Sequence, residues 1–176
     1  KKILDIPVEV RNKLTLEITE RIFIEDPYFA IELISSIKKL TNPPKIAMDD
    51  FGTGYSSLAY LKDLPIDIIK IDIAFIRDMI KDRKSLAIVQ TIIDLAKRLD
   101  KITLAEGVEN KDQYEILKSI GCDMVQGFLF YKPMPKEKVK NISQETVQSF
   151  VSVWYSITNI WRTDMSNEVF DFKKAL

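Results

Sequence analysis

The chain contains no histidine among its 176 residues. Any acid–base chemistry must therefore run on Asp, Glu, Lys, Tyr or water. Any metal must be held by oxygen donors, with at most an Asn or Gln amide beside them. Such donors favour Mg²⁺, Mn²⁺ or Ca²⁺ over zinc or copper. Cysteine is nearly as scarce. The single Cys122 excludes an internal disulfide and a thiolate cluster within one chain. Its apolar neighbourhood reads as that of a small core residue in a reducing, cytoplasmic setting. A charge excess is also missing. Lys+Arg and Asp+Glu number 26 each, so nothing global favours a nucleic-acid polymer or an anionic membrane as partner. No apolar run is long enough to span a bilayer. The chain opens on Lys-Lys rather than Met, and additional upstream sequence or a regulatory domain is expected.

What is present is 46% hydrophobic residues in a length suited to one core. Five apolar, strand-like runs occupy residues 14–20, 46–54, 68–72, 102–109 and 124–130, and the segments between them have helical periodicity. That alternation predicts an α/β fold with a parallel sheet and right-handed crossovers. Asp26-Pro27 reads as cap and first position of a helix to about residue 40. Ser56 or Ser57 can cap a short helix ending before Pro65, and a long helical region over 74–99 is broken near 81–84. Asn110 caps a helix that stops at Gly121. Two regions are expected: 1–139, and a C-terminal helical extension, 140–176. In the extension Val147, Phe150, Trp154, Ile157 and Trp161 share one helical face. That face suits packing on its own domain, a dimer seam or a connector.

Each strand-like run carries a polar residue near its end: Glu17, Asp49, Lys70, Glu106 and Gln126. In a parallel α/β protein all C-terminal strand ends emerge on one face, so these groups converge. Gathering carboxylates is costly unless a cation neutralises them, which points to a metal site. Asp49 and Asp50 are adjacent, and successive residues of a regular strand face opposite ways. Both can serve one site only where the backbone turns, a turn that Gly52 and Gly54 permit. Lys70 is either paired with a carboxylate or a cation that orients water or meets a phosphate oxygen. Glu106 and Gln126 each precede a glycine.

The motifs LEITE, DDFGTGYSSL, LPIDIIKID, AEGVE and QGFLFYKPMP, in this order over residues 13–135, resemble the EAL-domain family of cyclic-di-GMP phosphodiesterases. The resemblance implies a TIM-type (β/α) barrel, N-terminally truncated in this chain, and a homodimer that acts on cyclic di-GMP. It implies a two-metal site for Mg²⁺ or Mn²⁺ with Glu17, Asp49, Asp50 and Glu106 as ligands. Lys70 would orient the attacking water, Glu106 would be a ligand or general base, and Gln126 would contact that water. Asp72 and Glu109 would support the site. Glu20 would brace the loop over 51–57, which includes Gly52, Thr53 and Gly54. The Glu-Ala-Leu tripeptide that names the family is absent, as is the strand-end Asn that completes its metal shell. The alternative is therefore a degenerate module that binds cyclic di-GMP or a protein partner without hydrolysis.

Overall fold

A computed structural model describes residues 3–52 and 61–133. A short helix α1 (Val8–Arg11) leads into β1 (Thr15–Thr19) and is followed by helices α2 (Glu20–Glu25) and α3 (Pro27–Lys38). Then come β2 (Lys45–Phe51), β3 (Ile68–Ile71), α4 (Ile73–Asp78) and α5 (Arg83–Arg98). The described chain closes with β4 (Ile102–Ala105), α6 (Lys111–Ser119) and β5 (Met124–Val125). All five strands are parallel, in the order β1-β2-β3-β4-β5. Each strand pairs with the next along the chain, and the order never reverses. That is how a barrel wall is wound, whereas a doubly wound sheet reverses at a switch point.

The helix boundaries have local causes. Asp26 accepts a hydrogen bond from the Phe29 amide, with Pro27 at the first helical position of α3. The expected break in the long helical region falls at Met79–Asp82, where Asp82 accepts from the Lys84 and Ser85 amides and starts α5. Asn110 and Gln113 form a reciprocal capping box on α6, and Gly121 (φ 77°) follows its end.

Helix α3 begins at Pro27 as expected, and a separate helix, α2, precedes it, with Asp26 turning the chain between them. One expectation needs correction. The last strand-like run is a strand only at Met124–Val125, and residues 128–130 form a turn. The helix expected before Pro65 lies mostly outside the described residues, as do Thr53, Gly54 and the whole 140–176 extension.

The strands divide their side chains between two apolar layers. Ile46, Met48, Ile69, Ile71 and Ala105 face the helices, where Ile34, Ile76, Val89, Ile93 and Leu117 complete the main core. Ala47, Ile68 and Leu104, edged by Ile102 and Met124, form a second, smaller cluster on the opposite face. Two residues further along their strands stand Asp49, Lys70, Glu106 and Gln126. Side chains repeat every second residue, so the polar groups continue the small apolar layer and stand on it as on a floor.

Candidate active site

Lys70 lies at the centre. It is only 3% exposed, and its Nζ is 2.7 Å from Asp49 Oδ1, 2.9 Å from Glu106 Oε1 and 3.1 Å from Glu17 Oε1. Four strands thus send one charged group each to a single point. Gln126, after the fifth, donates from Nε2 to Glu106 Oε1 at 2.7 Å. The long lysine stem explains the reach: Lys70 pairs in register with Leu104, one inward-facing step below Glu106.

The adjacent aspartates are accommodated by an irregularity in β2. Met48 pairs with Ile69 and Phe51 with Ile71, so β2 spends one more residue than β3 over the same stretch. Such a bulge re-aims side chains, and Asp50 takes a left-handed φ of 58° to make it. Asp49 consequently turns to Lys70, while Asp50 turns to the neighbourhood of Asp72, whose charge acts on it. Asp72 also accepts from the Ala74 amide and caps α4. Glu20, 3% exposed, accepts from the Gly52 amide at 3.1 Å and ties α2 to the end of β2. Glu109 contributes its backbone: its amide donates to Gln113 Oε1, while its side chain is exposed. The sequence reading passed over Gln113, although the Asn110-x-x-Gln113 spacing of a capping box was visible.

The electrostatics follow from crowding. Burial by itself would lower the Lys70 pKa. The attraction of Glu106 and the hydrogen bonds to Asp49 and Glu106, with Glu17 adding to them, outweigh it and hold the pKa above the ordinary lysine value. Lys70 stays an ammonium at neutral pH, able to donate a hydrogen bond and unable to act as a base. Burial raises the Glu106 pKa; Lys70 opposes the rise and the charges of Asp49 and Glu17 reinforce it. Asp50 is raised by burial and then by the charges of Asp49 and Asp72.

Three carboxylates therefore meet one ammonium, and a fourth repels them from beside it. Among the described residues no three acidic groups stand as a ready-made cation cage, because the acids close on Lys70 instead. The donors nevertheless fit a hard divalent cation in kind, being all oxygen. Burial first, and the neighbouring carboxylates after it, hold the Asp50 and Glu106 pKa values up, as expected where acids are crowded together.

Comparison with known proteins bears on this geometry. The family model described as "EAL domain" matches residues 2–133. The cyclic di-GMP phosphodiesterase NbdA of Pseudomonas aeruginosa is 41% identical over 122 residues, which cover 69% of this chain and 15% of NbdA. The solved structure of the MucR phosphodiesterase in complex with c-di-GMP superposes with a TM-score of 0.69 at 40% identity, covering 73% of this chain and 51% of that one. A calcium/c-di-GMP complex of Klebsiella pneumoniae BlrP1 gives a TM-score of 0.63 at 32% identity, covering 70% and 31% of the two chains. This chain thus spans about one-seventh of NbdA and half of the solved MucR phosphodiesterase.

Proposed function

The chain belongs to the EAL-domain family, and from that premise we propose that its strand-end cluster is the site of a cyclic-di-GMP phosphodiesterase in bacterial second-messenger signalling. The observation that carries the proposal is the meeting of Glu17, Asp49 and Glu106 on Lys70, with Gln126 behind Glu106. It is supported by the similarity to cyclic di-GMP phosphodiesterases described above. The reaction is attack of water on phosphorus and cleavage of one phosphodiester bond, giving the linear dinucleotide.

Glu17, Asp49, Asp50 and Glu106 would hold Mg²⁺ or Mn²⁺. Bound there, such ions ease the deprotonation of water and offset negative charge on the phosphoryl oxygens. The protein's own groups divide the remaining work. Lys70, permanently charged, donates to the incoming water or to a phosphoryl oxygen and so fixes its line of approach. Glu106 is either one of these metal ligands or, where it does not ligate, the group placed to accept the water proton. Gln126 donates to Glu106 and fixes its orientation. Asp72 acts on Asp50 through its charge and caps α4.

Turnover of cyclic di-GMP by the full-length parent with Mg²⁺ or Mn²⁺, followed by separation of the linear product, tests the proposal. Binding without turnover under both metals would sink it. That result would favour the second reading, a module that binds without hydrolysis. Its motive is that Glu17, Asp49 and Glu106 close on Lys70. No helix among the described residues is long and apolar enough to cross a membrane. A nucleotide second messenger as substrate leads us to place the domain in the cytoplasm, within a longer signalling protein.

A further inference from the structure

Gln113 is one of the few buried polar residues, 3% exposed, and it lies on α6 away from the carboxylates. Its Oε1 accepts from the Glu109 amide at 2.8 Å and the Asn110 amide at 3.2 Å, and its Nε2 donates to the Ile76 carbonyl at 3.0 Å. The Asn110 bond belongs to the capping box of α6, and the Glu109 bond extends it by one residue into the preceding loop. The third does neither. It leaves the helix and fastens onto α4, the helix that Asp72 caps. One side chain thus joins the loop after β4, which carries Glu106, to the helix after β3, the strand that carries Lys70.

A second contact joins the same two segments. Gly107 has φ 71°, and a Cβ built on it would run into the Ile73 side chain at the start of α4. The loop therefore lies directly against α4 at Ile73 and is bonded to it at Ile76. Its other side is held by the segment after β5: the Val108 amide donates to the Gln126 carbonyl, and the Leu129 amide to the Val108 carbonyl, both at 3.0 Å. Glu106 immediately precedes these attachments, and its own amide donates to the Ile71 carbonyl at 3.2 Å. A buried amide with both ends satisfied admits one arrangement of its partners, because shifting either leaves a polar group unpaired out of water.

We propose that Gln113 is a positioning residue for the reaction, locking the Glu106 loop to α4 so that Glu106 keeps its distance from Lys70. The inference rests on the phosphodiesterase reading for its consequence in catalysis, and on structure alone for the lock. Two substitutions separate the lock from the cap. Gln113→Glu keeps an acceptor for the capping box and removes the donor to Ile76. Asn110→Ala weakens the cap and leaves the Gln113–Ile76 bond in place.

Hydrogen exchange on the metal-free full-length protein gives a readout independent of activity. Gln113→Glu should speed exchange in both 106–110 and 73–78, whereas Asn110→Ala should speed it only at the start of α6. In the turnover assay Gln113→Glu should lower kcat about tenfold with KM changed less than about twofold, as a displaced reacting group would; Asn110→Ala should leave kcat unchanged. If Gln113→Glu loosens only the first turn of α6, or leaves kcat at the level of Asn110→Ala, Gln113 is a cap and nothing more. If the parent turns over no cyclic di-GMP, the exchange pattern still decides the lock while the phosphodiesterase reading falls.

Discussion

Lys70 shows how a residue awkward in sequence becomes intelligible in space. A lysine among Ile68, Ile69 and Ile71 has no local partner, since its strand neighbours are apolar. Its partners come from three other strands, 21–53 residues away in either direction, and no short-range pattern reveals them. Removing the ammonium leaves three carboxylates facing one another. Because these remain 12–21% exposed at their side chains, the lower end of the range for breaking a buried pair applies. Lys70→Met should cost about 3 kcal/mol at pH 7 by denaturant unfolding. The pH dependence has a definite sign. The folded-state pKa of Glu106 is already raised, and losing Lys70 raises it further. The folded variant then binds more protons than the unfolded chain, so its stability falls as pH rises from the ordinary carboxylate value through the raised one. Its urea midpoint should be higher at pH 5 than at pH 7; equal midpoints would contradict the uncompensated charge. In the unaltered protein the stabilisation from Lys70 is complete below the ordinary lysine value of 10.5 and is lost only as pH climbs past it.

At the scale of elements, α5 and the β2 bulge show two degrees of legibility. The apolar stripe of α5 over Val89, Ile92, Ile93 and Ala96 has helical spacing, and the structure buries those residues. Ile93 is fully buried against the sheet, so Ile93→Ala should destabilise by about 2–5 kcal/mol, while Gln90→Ala on the exposed face should stay within about 0.5 kcal/mol. Chemical denaturation of both variants checks this, and equal losses would mean that α5 does not pack as described. The β2 bulge was legible only as a problem. Two adjacent aspartates demand a backbone turn, but its place is set by pairing with β3 and by the left-handed Asp50. Helix α2 had no such warning: its six residues, ERIFIE, continue the strand-like run without a turn residue until Asp26.

For the molecule as a whole the order of strands matters more than their number. Among the described residues β1 pairs only with β2 and β5 only with β4, so the order runs through the sheet without reversal, as in a barrel wall. A homodimer is what the family resemblance implies, and it is a proposal at this scale. We expect the protein to self-associate, with a light-scattering mass that rises to that of a dimer as concentration increases. A constant monomer mass over a wide range would contradict this.

The sequence by itself determined the strand-helix alternation, the oxygen-only chemistry, the five polar strand ends and the family to which they belong. These are matters of periodicity, composition and order, which local physics and spacing express directly. Tertiary structure alone decided which acids meet Lys70, how Asp49 and Asp50 part company, and that Gln113 bridges two site-bearing segments. Each of those depends on register and on contacts between residues distant in the chain, where the energy of a charge or a buried amide is settled by neighbours that the sequence does not place beside it.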